Sequence, residues 1–183
     1  MIARDGNIQS YKMRLGTIED KDWNKIAETI NDLSTLKFNI NSNIRTIQGL
    51  EVKARKLKNK GLLDLLVIDY LQLLRNKDKF NSREQEVADI SRRLKLLSLE
   101  LNIPIIVLSQ LNRNASNNEP NQADLRESGS LEQDADNIIF LYPEENEEDI
   151  INIKVAKQRA GETGKIKVRF MKQISQFRNL IEE

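Results

Sequence analysis

Apolar residues recur along this chain at two spacings, and the switching between them predicts an α/β protein. Trp23, Ile26, Ala27, Ile30 and Leu33 follow at helical spacing, which predicts a helix from Asp20 to Thr35 with one buried face. Thr17 with Asp20 resembles a helix-start box. Phe38 and Ile40 alternate with polar neighbours and predict a short strand. Ile47, Leu50, Ala54 and Leu57 mark a second helix, weakened slightly by Gly49 and basic outside through Lys53, Arg55, Lys56 and Lys58. Gly61 ends it. The run LLDLLVIDYLQLL, Leu62 to Leu74, then places a strand at Leu65 to Ile68, buried on both faces as in a parallel sheet covered by helices.

The polar stretch Arg75 to Asn81 reads as mobile. Beyond it, Ser82 with Gln85 caps a third helix, whose stripe is Val87, Ile90, Leu94, Leu97 and Leu101, with Arg92, Arg93 and Lys95 outside. Asn102 stops it, and Ile105 to Leu108 is a second buried strand ending in Ser109 and Gln110. Asn112 to Asp124 is polar, asparagine-rich and flexible by pattern. Ile138 to Leu141 is a third buried strand, closed by Pro143 and an acidic turn from Glu144 to Asp149. Ile151, Ile153 and Val155 alternate, as do Ile166, Val168 and Phe170, which predicts an antiparallel pair around the turn Gly161 to Gly164. Helices that alternate with buried strands define the α/β class.

Composition narrows the chemistry. At 183 residues the chain is one domain in size. Lys and Arg number 29 against 28 Asp and Glu, so any nucleic-acid contact must be local rather than a global charge effect. There is no Cys and no His, which removes disulfides, thiol nucleophiles, Cys or His zinc sites and imidazole catalysis. The apolar runs are far shorter than a membrane span and MIARDG is no signal peptide, so a soluble cytosolic protein without a membrane partner is expected.

Asp69 is the first candidate. An acid just past a buried strand sits at the sheet's carboxyl end, where open α/β sheets bind ligands, and has the form of a Walker B aspartate that holds magnesium. It equally fits an aspartate closing a turn. The usual partner, GxxxxGK followed by Ser or Thr, is missing: the glycines at 6, 16, 49, 61, 129, 161 and 164 contain no pair at that spacing. Gln110 ends the second strand at the same edge, where its amide is placed to reach a γ-phosphate or an attacking water, or is a solvated loop glutamine. Within DLRESGSLEQDAD, Asp124 to Asp136, Gly129 lies between two serines with Arg126 nearby, parts that hold phosphates. The acids Asp124, Glu127, Glu132, Asp134 and Asp136 outnumber Arg126, so any DNA contact there is a few placed hydrogen bonds. Lys157 and Arg159, two apart at a strand end, share a face and suit a phosphate or an exposed charged end. GETGK, Gly161 to Lys165, is not a phosphate loop, because its glycines are too close and a strand follows.

Taken in order, LLVIDYLQLL, REQEVADISRRLKLLSLELNIPIIVLSQLNR, DLRESGSLEQDADNIIFLY and KQRAGETGKIKVRF resemble the C-terminal motor domain of DnaB-type replicative DNA helicases. RLGTIEDKDW looks like that family's Gly-then-Asp-Trp helix start. The resemblance covers nearly the whole chain, so residues 1–183 are expected to form a partial helicase C-terminal domain: a RecA-like, mostly parallel sheet flanked by helices, with a C-terminal antiparallel strand pair and incomplete at the N-terminus. It implies ATP and Mg2+ as cofactors, with Asp69 holding the ion through water and Gln110 linking nucleotide state to DNA contacts. It implies that Arg126, Glu127 and Gly129 touch single-stranded DNA, and that Lys157 and Arg159 reach a neighbouring subunit's γ-phosphate, Arg159 as the arginine finger. The partners implied are single-stranded DNA, sister subunits in a homohexamer, primase and a helicase loader, in a bacterial cytoplasm or in a phage protein acting there.

The departures are also informative. The family's phosphate loop and catalytic glutamate lie upstream of the point with which Met1 aligns, so the isolated chain is expected to hydrolyse little or no ATP. Asn118 and Glu119 stand before Pro120, where the family often carries basic residues. Two other readings remain: a recombinase-like or clock-type ATPase, against which LRESGSLEQDAD and KQRAG argue, and a non-catalytic remnant that binds DNA or sister subunits. An in-frame GxxxxGK motif in the DNA immediately upstream separates the helicase from the remnant.

Overall fold

The protein was analysed as a computed structural model, which describes residues 1–111, 119–125 and 129–180. It divides into two compact units, one built on residues 41–138 and 156–162 and the other on 1–40, 139–155 and 163–183.

In the unit that holds Asp69, helix α4 (Ile47–Asn59) starts where Thr46 accepts from the Gly49 amide, and it ends before Gly61 at φ 67°. The strand β1 (Leu66–Ile68) follows, then the long helix α5 (Arg83–Leu101), then β2 (Ile105–Val107). The helix start signal works as read: Ser82 accepts from the Gln85 amide at 3.2 Å, and Asn102 closes the other end in the left-handed conformation. This is a βαβ unit, with β1 and β2 parallel and Leu66, Val67 and Ile68 opposite Ile105, Ile106 and Val107. Leu66, Ile68, Ile105 and Val107 turn toward α4 and α5, where Ile47, Ala54, Val87, Ile90, Leu94 and Leu97 are buried. The opposite face corrects the expectation of strands buried on both sides. Val67 and Ile106 are each 52% exposed, because no element of this unit among the described residues covers them.

The segment after β1 is also more ordered than its polarity suggested. Arg75 pairs backbone to backbone with Arg45 and Ile47, Glu86 accepts from the Asn76 amide at 2.7 Å, and Asp89 accepts from the Asn76 side chain at 2.6 Å. Arg83 donates to the carbonyls of Gln72 and Leu74 and to Glu86. Burial alone raises the Glu86 carboxyl, but the Asn76 amide and the Arg83 guanidinium outweigh it and hold the group below its ordinary value.

In the second unit the short helices α1 (Ile2–Asp5) and α2 (Ser10–Leu15) precede α3 (Asp20–Ser34). The predicted buried face of α3 is wrong in detail. Asp22, Ile26 and Thr29 are buried, whereas Trp23 is 54% and Ile30 48% exposed. Thr29 satisfies its hydroxyl on the Lys25 carbonyl at 2.7 Å, so a polar residue fits inward without an orphaned group. No side chain caps α3, so the Thr17 box does not form. The strand expected at Phe38 and Ile40 is absent too: both are exposed, and the backbone there pairs with no strand.

Four strands follow: β3 (Asn137–Glu144), β4 (Glu147–Gln158), β5 (Gly164–Met171) and β6 (Gln176–Asn179), neighbours in that order. The β4–β5 pair is antiparallel as expected, with Ile153 opposite Ile166 and Ile151 opposite Val168. Two expectations change. The acidic segment is largely strand, since β3 runs through Pro143 to Glu144 and β4 resumes at Glu147 after a turn with Asn146 at φ 62°. β3 is also half-buried rather than wholly buried, with Ile138 and Phe140 inside and Ile139 and Leu141 outside. The short strand β6 adds to the expected pair, and Phe170 of β5 stacks on Phe177 of β6 with ring centroids 4.7 Å apart. No helix among the described residues is long and apolar enough to cross a membrane.

Candidate nucleotide site and cation pair

Asp69 leaves β1 between two backbone bonds to one residue. The Leu108 amide donates to the Ile68 carbonyl at 3.0 Å, and the Leu71 amide donates to the Leu108 carbonyl at 2.9 Å. Leu108 thus brackets Asp69 and fixes it at the carboxyl edge of the parallel pair, while the carboxylate stays exposed. Among the described residues it makes no ion pair, and no group of three or more acids gathers there to cage a metal. A lone strand-end carboxylate fits Mg2+, which keeps most of its waters and needs only one or two carboxylates.

Gln110 stands at the same edge, exposed, one residue past Ser109. Gln72 links the two strand ends. Its amide nitrogen donates to Ser109 Oγ at 3.0 Å, and its amide oxygen lies 3.5 Å from the Gln110 backbone nitrogen. Arg83 in turn holds the Gln72 carbonyl at 3.0 Å. The sequence signal for Gln72 was slight: one polar residue inside an apolar tail.

The other cluster forms around α6 (Gly129–Asp134). Arg126 and Glu127 lie outside the described residues, as do 112–118 of the polar loop; Gly129 is the first residue of α6. Leu131 packs against the core under α5, and Ser91 of α5 donates to Asp134 at 2.6 Å. The last carbonyls of a helix have no partner within it and carry its negative end, so cations suit them. Lys157 and Arg159 supply those cations. Lys157 Nζ donates to the Glu132 carbonyl, and Arg159 Nη2 donates to the Gln133 carbonyl at 2.9 Å. The pair predicted from strand spacing is brought together on one helix end.

Asp136 completes this cluster, and the sequence offered no reason to single it out from the acids around it. Its carbonyl accepts from the Arg159 amide at 3.0 Å, and its carboxylate lies 3.4 Å from Arg159 Nη1. Lys95 of α5 donates to both carboxylate oxygens, at 2.7 and 2.6 Å. That ammonium is the main reason the Asp136 carboxyl titrates below its ordinary value, with smaller help from Arg159 and Lys157 against the opposing effect of burial.

Comparison with known proteins places these residues in context. Residues 1–179 match the family described as the DnaB-like helicase C terminal domain. The replicative DNA helicase DnaB of Geobacillus stearothermophilus is 38% identical over 192 residues, covering 98% of this chain and 42% of the relative. The corresponding helicase of Pasteurella multocida is 40% identical over 196 residues, covering 100% of this chain and again 42% of the relative. A DnaB-like replicative helicase solved with attention to its interactions with primase superposes with a TM-score of 0.89 at 34% identity, over 98% of this chain and 46% of that one. The chain therefore spans less than half the length of these relatives.

Proposed function

The chain belongs to the DnaB-like helicase C-terminal domain family, and on that premise we propose that it is the RecA-like motor portion of an ATP-dependent replicative DNA helicase. In this reading the complete gene product works as a homohexamer that moves along single-stranded DNA and unwinds duplex, in the cytoplasm, with primase and a loader as partners. The observation that carries the reading is the tie at the carboxyl edge of β1 and β2. Asp69, Gln72, Ser109 and Gln110 meet there, where an acid for magnesium and an amide for phosphate or water belong.

Each residue then has a task. Asp69 holds Mg2+ through water, and that ion, when bound, offsets charge on the phosphates of ATP. Gln110 senses the γ-phosphate end, and Gln72 passes its position to the loop after β1. Lys157 and Arg159 serve a nucleotide held by the neighbouring subunit, where fixed cations stabilise charge that develops in phosphoryl transfer. Arg126, Glu127 and Gly129 contact single-stranded DNA, and Gly129 opens α6, whose last carbonyls hold both cations. The GxxxxGK phosphate loop is not within these 183 residues. Residues 1–183 alone are therefore expected to hydrolyse little or no ATP, and the same observation also fits the second reading, a non-catalytic remnant.

Steady-state ATP hydrolysis by the complete gene product, with and without single-stranded DNA, tests the proposal. DNA-stimulated turnover that disappears in Asp69→Asn is expected. Turnover that survives Asp69→Asn, or turnover by residues 1–183 alone, overturns it.

A further inference from the structure

We propose that Asp136 is a positioning residue for Arg159, itself fixed from helix α5 by Lys95; this rests on the reading of Arg159 as a cation that serves a neighbour's nucleotide. Arg159 lies just past the end of β4, on a turn, and is about half exposed. An arginine in such a place carries large rotamer entropy and does not point anywhere by default. Here it is held at three points: its amide on the Asp136 carbonyl, Nη2 on the Gln133 carbonyl, and Nη1 near the Asp136 carboxylate.

The distances divide the work. Lys95 lies within 2.7 Å of both carboxylate oxygens, whereas the guanidinium stands 3.4 Å from the nearer one. The Asp136 charge is thus matched chiefly by Lys95, and Arg159 is directed without being neutralised. A tight two-point Arg–carboxylate pair would hold the side chain equally well, but it would cancel the positive charge that an incoming phosphate needs. Lys95 is the better-anchored partner. It is only a quarter exposed and sits on α5 between Leu94 and Leu97, both buried. Orientation therefore runs from α5 through Lys95 to Asp136 and on to Arg159.

Stability is not what the arrangement provides. Both Asp136 and Arg159 are about half exposed, and such solvent-screened pairs contribute little to stability. Placement is a different quantity, since small misplacements of a catalytic group cost up to about a hundredfold in rate.

The test is ATP hydrolysis by the complete gene product in its native assembly, saturated with single-stranded DNA. Asp136→Asn is expected to lower kcat about tenfold while the KM for ATP changes less than about twofold, because the group acts on orientation and not on nucleotide binding. Asp136→Glu should recover part of kcat, and Lys95→Met should lower it in the same direction even if Asp136→Asn folds poorly. If Arg159→Ala abolishes turnover but Asp136→Asn and Lys95→Met keep wild-type kcat, the positioning role is wrong and the finger reading stands. If Asp136→Asn acts mainly through KM, the positioning role is also wrong. Wild-type turnover in Arg159→Ala removes the finger reading and this inference with it.

Discussion

Gln72 and Ser109, 37 residues apart in the chain, share a 3.0 Å hydrogen bond that ties the loop after β1 to the end of β2. The bond joins the neighbourhood of Asp69 to that of Gln110. A shift at either strand end must therefore break it or carry the other end along.

Removing one partner of this bond should cost about 1 kcal/mol in chemical denaturation, as for an ordinary partly buried hydrogen bond. Gln72→Ala and Ser109→Ala should not add. A double-mutant cycle on the chain is expected to return a coupling of about 0.5 kcal/mol or more. Strict additivity would mean that the two strand ends are independent.

Arg83 holds two carbonyls of the segment after β1 together with Glu86. Arg83→Leu removes the donor those two carbonyls share and one of the cations that pair with Glu86. The loss of stability should reach about 1.5–3 kcal/mol, the range for bonds to charged groups. Arg83→Lys should recover only part of it, because a single ammonium cannot reproduce the fork. Denaturation midpoints of the two variants measure the difference.

Trp23 is the only tryptophan in the chain and stands 54% exposed on α3, whereas Ile26 is 6% exposed on the same helix. Its fluorescence should be readily quenched by iodide or acrylamide. Trp23→Ser should change stability by less than about 0.5 kcal/mol, while Ile26→Ala costs about 2 kcal/mol or more. A blue-shifted, unquenchable tryptophan would place the buried face of α3 where its periodicity alone had put it.

Asp136 gives the acid dependence a direction. Its carboxyl titrates below its ordinary value of 3.8, mainly through the bond from Lys95. A group depressed by folding stabilises the protein above its unfolded value and loses that contribution as the pH falls through the folded value. The small difference in thermal midpoint between wild type and Asp136→Asn should therefore be constant above pH 3.8 and vanish at lower pH. A difference that grows on acidification would contradict the Lys95 pairing.

Much of the fold was legible because periodicity reports local geometry. The stripe on α5, its Ser82 cap, the Asn102 stop and the antiparallel pairing of β4 with β5 all follow from spacing within one or two elements. Helical spacing on α3 was legible as well, but two adjoining faces carry apolar residues, and the spacing does not say which one meets the protein. The candidate residues at strand ends were legible for a similar reason: Asp69, Gln110, Lys157 and Arg159 each follow an apolar or alternating run. Their supporting contacts were not, since Gln72, Lys95 and Asp136 belong to no local pattern.

The order and type of most elements, the absence of thiol and imidazole chemistry, and the polar residues at the strand ends were determined by the sequence itself. They depend on short-range spacing and on residue type. Tertiary structure alone decided that Val67 and Ile106 are half exposed among the described residues, that α3 turns Trp23 outward, and that Lys95 meets Asp136 across 41 positions of the chain. Packing partners and long-range hydrogen bonds depend on where whole elements come to rest, which local spacing does not encode.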